Sequence, residues 1–350
     1  MKIAGRTIRD ESPVLVIAEI GVNHDGSRDR ALELVRHARD AGADAVKLQV
    51  FGGEKLMHPS ARFADYQADR VTATDPVAML RQYELSDGDL RKIAQAASAV
   101  GLLTIATPFS PSDVERVVNL GAEAIKIASP DLVNRVLLRE AAATNLPLIV
   151  STGAATLSEI SDAVAWLRTH CANFCLLHCI SSYPTAMKDA SLRWIGQLGD
   201  TFGVPIGYSD HTTEPLAGAL AVAAGACVVE KHLTYDVAAA GPDHSASASP
   251  DQLKQYVQAI RVAEEMRGTG SRRVLACEED VRFVSRQSLV LARSVSNREV
   301  FTRSCFTTQR PASGISSQDL ELVIGERATQ DIPAGTILMP AMVQGWRNEA

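Results

Sequence analysis

Residues 207–234 read GYSDHTTEPLAGALAVAAGACVVEKHLT. A polar cluster, Tyr208-Ser209-Asp210-His211, opens the stretch. A small apolar run over 216–226 follows with helical spacing, and a short β-branched run then closes on Glu230-Lys231-His232. Strand end, helix, next strand end is the repeating unit of a parallel sheet, and it brings His211 and His232 to the same end of that sheet. Two imidazoles at successive strand ends, with Glu230 beside them, are donor types that a divalent ion takes. Two protein ligands are fewer than most metal sites use. The alternative is one hydrogen-bonded histidine at each strand end, and the rest of the chain has to decide.

Outward from this stretch the same alternation repeats. Apolar, β-branched runs at 14–18, 45–50, 102–106, 124–128, 147–150, 173–178, 204–208 and 227–231 are separated by helical patterns. Those patterns fall at 31–41, 87–100, 112–120, 134–144, 157–170, 191–198 and 216–226, with a last one at 250–267; a long polar excursion occupies 52–74. This is the count of a TIM (β/α)8 barrel, so the expected class is α/β. An open doubly wound sheet is the alternative, but its usual glycine-rich first turn is absent: the first loop reads Gly21-Val22-Asn23-His24.

In a barrel of this kind the C-terminal ends of the strands face the active site. Those ends supply Glu19 and Asn23, Lys47 and Gln49, Thr107, Lys126 and Ser129, Ser151 and Thr152, and then residues 178–183, 209–211 and 230–232. Loops are polar in any fold. Lys47 and Lys126 are different, because each interrupts an apolar run (AVKLQV, AIKIAS) in strands whose two faces are both covered. Function explains them better than a solvated strand face does. With Thr107, Ser129, Ser151 and Ser209 they make a cradle of cations and hydroxyls suited to a small phosphorylated carboxylate. A Schiff-base aldolase using a barrel lysine such as Lys126 is the rival. The paired histidines argue against it and for a Lewis acid that polarises a carbonyl oxygen.

At 350 residues and 46% hydrophobic composition, the chain has material for a large core and a second, smaller domain. A formal net charge of −6 leaves no electrostatic footprint for nucleic acid or an anionic membrane, so an anionic ligand must be held by a few placed cations. Six cysteines without a CxxC pair read as thiols in a cytoplasmic protein. The opening MKIAGRTIRDESP has no apolar core of a signal peptide, and no run of about 18 apolar residues offers a membrane span. The expected domains are a barrel over 1–267, a linker over 268–284 and a compact, mostly β module over 285–350. The module is punctuated by Arg310-Pro311, Ser313-Gly314 and Ala334-Gly335.

Several motifs, taken in order, carry a resemblance: AEIGVNHDG (18–26), AVKLQVF (45–51), TPFS (107–110), KIAS (126–129), STG (151–153), CISSYP (179–184), GYSDHT (207–212), EKHLT (230–234) and GPDHSAS (241–247). The chain resembles the bacterial sialic acid synthases, the group that makes N-acetylneuraminate, legionaminate, pseudaminate and spore-coat polysaccharide precursors. Its C-terminal module resembles their antifreeze-protein-like SAF domain through RQSLVLARSV (286–295), QRPASGIS (309–316) and DIPAGTIL (331–338). The resemblance implies condensation of phosphoenolpyruvate and water with the aldehyde of an open-chain N-acetyl-hexosamine, N-acetylmannosamine or a related sugar. The products would be a nonulosonic acid and phosphate.

The resemblance also implies roles. His211 and His232 would bind a divalent ion, commonly manganese in such enzymes, with magnesium or cobalt as alternatives. Lys47, Lys126, Thr107, Ser129, Ser151 and Ser209 match phosphoenolpyruvate-binding positions. Glu19, Gln49, Tyr183 and Asp243 match positions that hold or protonate sugar oxygens, with Glu230 beside the metal. Arg310 matches an arginine that one subunit's C-terminal domain inserts over the other's barrel mouth, which implies a domain-swapped homodimer. Three departures fall on the sugar side: Ser181, followed by Ser182, replaces an asparagine; residues 66–70 end in Arg70 rather than asparagine; and Pro130-Asp131 replaces the usual Gly-Glu. Among the remaining histidines, His24 is expected to orient its loop or the metal's surroundings and His178 to pack at the rim. His244 carries no assignment, and His37, His58 and His170 read as surface residues. Cys179 reads as a buried thiol. A sugar-binding barrel without catalysis is the third reading, disfavoured by the intact set Glu19, Lys47, Lys126, His211 and His232.

Overall fold

The structure, a computed structural model, describes residues 1–58, 60, 75–268 and 270–347. The chain divides into two compact units, Met1–Thr269 and Gly270–Ala350.

Eight parallel strands close the first unit into a barrel: β1 (Leu15–Glu19), β2 (Ala45–Val50), β3 (Leu103–Pro108), β4 (Ala124–Ile127), β5 (Leu148–Ser151), β6 (Phe174–Cys179), β7 (Ile206–Asp210) and β8 (Val228–His232). Each strand pairs with the next, and β8 pairs back on β1, which leaves no free sheet edge. The expected TIM barrel is therefore the observed one. The crossover helices are α1 (Arg28–Ala41), α2 (Asp87–Ala99), α3 (Pro111–Leu120), α4 (Arg135–Ala143), α5 (Leu157–His170), α6 (Arg193–Phe202), α7 (Ala217–Ala223) and α8 (Pro250–Arg267).

Local sequence sets their ends. Ser27 caps α1 by accepting from the Arg30 amide, and Gly42 stops it in the left-handed region at φ 85°. Thr156 with Glu159, and Ser249 with Gln252, form capping boxes at α5 and α8. The excursion between β2 and α2 contains two short helices, Gly53–Leu56 and Pro76–Tyr83. Arg70, one of the three departures noted above, lies outside the described residues.

Strand pleating sorts the barrel into two populations. Val16, Val46, Leu48 and Val50 face outward and join the helices in the main core. Leu15, Ile17, Ala45, Ile105, Ala124, Ile149, Cys175, Leu177 and Val228 face inward and fill the barrel. A two-strand hairpin, Lys2–Ile3 with Arg6–Thr7, adds Ile3 and Ile8 to that inner core, both fully buried. Because side chains alternate along a strand, the next inward positions after this apolar filling must all lie at the C-terminal rim. They are the polar ones.

The second unit has its own core around Leu289, Leu291, Val295, Phe301 and Leu338. The helix α9 (Ala276–Ser285) covers most of the stretch expected as a connector. Beyond it, β9 (Ser288–Leu291) pairs antiparallel with β10 (Phe306–Gln309), and isolated bridges tie the remaining turns together. All six cysteines are free thiols. Among the described residues, no helix is long and apolar enough to cross a membrane.

Candidate active site

Inward parity carries Glu19, Lys47, Gln49, Thr107, Lys126, Ser151, Cys179, Ser209, Glu230 and His232 to one rim. All but Glu19 line a cavity of about 500 Å³, together with Ser129, Ser181, Tyr183, His211 and Asp243. Parity also corrects the reading of Tyr208-Ser209-Asp210-His211 as one cluster. Tyr208 and Asp210 face outward, away from Ser209. Asp210 is fully buried there, accepting from the Tyr256 hydroxyl at 2.8 Å and from Lys231 at 3.2 Å.

The centre of the site is a buried charge network fixed by strand register. Glu19 is the Cα partner of Lys47 across β1–β2, and Glu230 the partner of Ser209 across β7–β8. Lys47 Nζ sits 2.6 Å from Glu19 Oε2 and 2.9 Å from Glu230 Oε1, while Ser209 Oγ donates to that same Glu230 oxygen at 2.9 Å. Glu19 Oε1 accepts from the Gly21 amide at 2.6 Å, so this carboxylate lies behind Lys47 with no exposed surface. Lys126 Nζ donates to Ser151 Oγ at 2.6 Å and to the Ile127 carbonyl at 3.1 Å. Thr107 Oγ1 and Glu230 Oε2, on residues that line the cavity, are buried without a hydrogen-bond partner.

Burial and these neighbours set the charges. Burial lowers the Lys47 pKa to about 8, with Lys126 pushing the same way and Glu230 resisting. Glu230 also shifts down, which here favours the charged form: burial raises it, but Lys126 and Lys47 together hold it well below the usual carboxylate range. The result is a buried lysine whose charge burial disfavours, held against a carboxylate that stays ionised.

Ser129 and Cys179 also line the cavity. Their Oγ and Sγ atoms are 3.3 Å apart, and the Gly153 amide donates to Ser129 Oγ at 3.0 Å. A Cβ on Gly153 would lie 2.4 Å from Ser181 Oγ and 2.8 Å from Cys179 Sγ, so glycine in the STG motif is required by close packing.

The histidines line the same cavity, with His211 beside Ser209. The His211 and His232 rings are 5.5 Å apart, and Tyr183 stacks on His211 at 4.0 Å. His211 Nδ1 donates to the Ile180 carbonyl at 2.8 Å and its Nε2 lies 3.4 Å from Ser209 Oγ; burial lowers its pKa, but Cys179, the Ile180 carbonyl and Glu230 outweigh it and leave the pKa raised. Burial, with repulsion from His211 and Lys47, holds His232 well below the normal histidine range and therefore neutral. His232 Nδ1 is buried without a hydrogen-bond partner, 3.7 Å from Asp243 Oδ2. The neutral His232 ring with its orphaned nitrogen fits a metal, whereas His211, whose pKa is raised, would have to release its proton to bind one. Among the described residues, no group of three or more His, Cys, Asp or Glu is disposed to hold an ion. His211 and His232 would be the two protein ligands of a cation bound here.

Other expectations resolve as follows. His24 is buried; its Nδ1 accepts from the Gly26 amide at 3.1 Å, and burial lowers its pKa to about 4. His178 packs outward against Tyr208 and pairs with the Ala190 carbonyl at 2.8 Å. Gln49 reaches back to the Gly21 carbonyl at 3.5 Å. Arg310 is exposed in the second unit, directly after β10. Sequence reasoning passed over the apolar wall of the cavity, Phe51, Met79, Leu80 and Phe109. Phe51 and Phe109 directly follow strand ends, and that position was the available signal; attention to polar residues alone hid it.

Known families match both units of the chain. Residues 34–272 match the NeuB family model, and residues 286–344 match the SAF domain. An N,N'-diacetyllegionaminic acid synthase of Legionella pneumophila is 36% identical over 330 residues, covering 93% of each chain. The crystal structure of a sialic acid synthetase from Leptospira borgpetersenii in complex with citrate superposes with a TM-score of 0.74 at 33% identity, over 80% of this chain and 94% of that one. A putative spore coat polysaccharide biosynthesis protein E from Chromobacterium violaceum superposes at 0.81 with 27% identity, covering 95% and 99%.

Proposed function

Because this chain belongs to the NeuB family, we propose that it is a phosphoenolpyruvate-dependent nonulosonate synthase acting on an acetamido-hexose. The observation that carries the proposal is the convergence of Lys47, Lys126, His211 and His232 on one cavity. Fixed cations suit the phosphate and carboxylate of phosphoenolpyruvate, and the imidazole side suits an aldehyde oxygen.

In this reading Lys47, Lys126, Thr107, Ser129, Ser151 and Ser209 hold phosphoenolpyruvate. A divalent ion held by His211 and His232 would act as a Lewis acid toward the aldehyde. C3 of phosphoenolpyruvate forms a bond to the aldehyde carbon, and the aldehyde oxygen takes a proton to become a hydroxyl. The cationic C2 so created lies beside Glu230, whose ionised carboxylate stabilises it electrostatically. Water adds at C2 and loses a proton, and the resulting tetrahedral centre collapses to the ketone as its C–O bond to phosphate breaks. The balance is phosphoenolpyruvate plus aldehyde plus water giving 2-keto acid plus phosphate. Asp243 and Tyr183 sit at the imidazole end, where they would contact sugar oxygens.

The Legionella relative is named for a product with two acetyl groups, and Ser181 leaves room where the family resemblance expects asparagine. N-acetylmannosamine and an N,N'-diacetylated amino-hexose should therefore be tested side by side. Phosphate release from phosphoenolpyruvate is measured with each sugar and manganese, with and without a chelator. Release that needs both a sugar and the metal supports the proposal, and H211A with H232A should abolish it. Chelator-insensitive turnover with a borohydride-trapped lysine adduct would instead make the protein a Schiff-base aldolase.

A further inference from the structure

Two stretches that the chemistry above leaves unused, Val22 to Asp25 and His244 to Ser247, meet beside the cavity. They belong to the loops after β1 and β8. His244 points away from the cavity and has no exposed surface. Its Nε2 lies 3.0 Å from Asp25 Oδ1, which accepts, and its Nδ1 lies 2.7 Å from Thr234 Oγ1. Asp25 is held from its other side by the Tyr235 hydroxyl at 2.8 Å and by the Arg30 guanidinium. A second strap runs parallel. Asn23, also without exposed surface, donates Nδ2 to the Leu233 carbonyl at 2.9 Å and to Ser247 Oγ at 2.8 Å. Ser247 Oγ in turn donates to the Asp243 carbonyl at 2.7 Å. Gly241 fits the same construction: a Cβ there would come within 2.7 Å of His244 Cδ2 and push the ring out.

An Asp–His–Thr series has the composition of a nucleophile-activating array. Here Thr234 has no exposed surface, so its hydroxyl meets no substrate. The series serves as a clasp. What it clasps is the segment that carries Asp243, whose carboxylate lies 3.7 Å from His232.

We infer that His244 and Asn23 are positioning residues that hold Asp243 at the acceptor end of the cavity and so set how the sugar meets phosphoenolpyruvate. This rests on the reading of Asp243 as a sugar-contacting group. The physical need is plain: the loop from β8 to α8 is long, and without internal anchors its carboxylate would sample many positions. Displacement of a positioning group by about 1 Å costs on the order of 100-fold in rate.

Hydrogen exchange tests the clasp without any reaction. The Ala246, Ser247 and Ala248 amides are hydrogen-bonded to the Asp243, His244 and His232 carbonyls. In the full chain, H244A should speed their exchange at least tenfold while the barrel strands keep their protection. D25N and G241A, which attack the clasp from its other sides, should do the same if H244A proves insoluble. With manganese and phosphoenolpyruvate, H244A should raise the acceptor KM about tenfold, leave the Kd for each of the other two within twofold, and be partly rescued by H244Q. Combined with D243N it should cost nothing beyond D243N alone. Unchanged exchange and acceptor KM in H244A would overturn the inference, as would multiplicative effects in the double variant. Faster exchange with a D243N protein that handles the sugar normally would also overturn it, and would place the failure in the reading of Asp243 rather than in the clasp.

Discussion

At the scale of single residues, two lowered pKa values act in opposite senses on charge: Lys47 is driven toward its neutral form and Glu230 toward its ionised one. Lys47 is a buried cation with a pKa near 8. Below that pH it carries the charge that phosphoenolpyruvate needs, so kcat/KM for phosphoenolpyruvate should fall as pH rises through about 8. Bound phosphate raises the lysine's pKa by linkage, so the matching decline in kcat should lie at higher pH. Stability follows the opposite sign. The folded-state pKa lies below the unfolded value of 10.5, so the cost of burying the charge is full below about pH 8 and is relieved as pH rises through that window. Thermal melts from pH 7 to 10 of the chain and of K47M check this: the parent should gain relative to K47M as pH rises. Glu230 carries the complementary test. E230Q removes one of the two carboxylates on Lys47, leaving Glu19, and keeps an amide oxygen that can accept from Ser209. Turnover should drop by on the order of 100-fold or more, and stability by about 1–3 kcal/mol, measured by denaturant titration.

At the scale of elements, strand parity explains what the sequence revealed and what it hid. The alternation of short β-branched runs with helical patterns made the barrel legible, and Lys47 and Lys126 stood out because a charge inside an apolar run demands a reason. The two-residue period was also there to be read. In VVEKH it sends Glu230 and His232 inward and Lys231 outward; in IGYSD it separates Ser209 from Asp210. What single-residue reasoning could not supply was long-range pairing. That Asp210 and Lys231 meet Tyr256 of α8, or that His244 meets Asp25, depends on loops and helices distant in sequence. The outward network predicts its own phenotype. D210A leaves Lys231 buried and unpaired, and should cost about 3–5 kcal/mol, against about 1–3 kcal/mol for Y256F. Gly153 gives a prediction of the other kind: G153A forces Ser181, Cys179 and Ser129 apart. It should weaken phosphoenolpyruvate binding about tenfold, read by calorimetry, with about 1–3 kcal/mol of overpacking cost.

At the scale of the whole molecule, the barrel unit carries the phosphoenolpyruvate and metal side of the proposed chemistry, and Arg310 lies in the other unit. If Arg310 completes the site of a partner subunit, K126A and R310A proteins should be separately inactive yet recover activity after subunit exchange. About a quarter of the sites would then be intact. Without a swap, no mixture recovers. The central claim is carbon–carbon bond formation with loss of phosphate from C2, and isotopic water addresses it most directly. The reaction is run in oxygen-18 water with phosphoenolpyruvate, manganese and the accepted acetamido-hexose, and the released phosphate is examined by mass spectrometry. The account predicts unlabelled phosphate, released only when the sugar is present, because the C–O bond breaks. Labelled phosphate, or release that ignores the sugar, would contradict it.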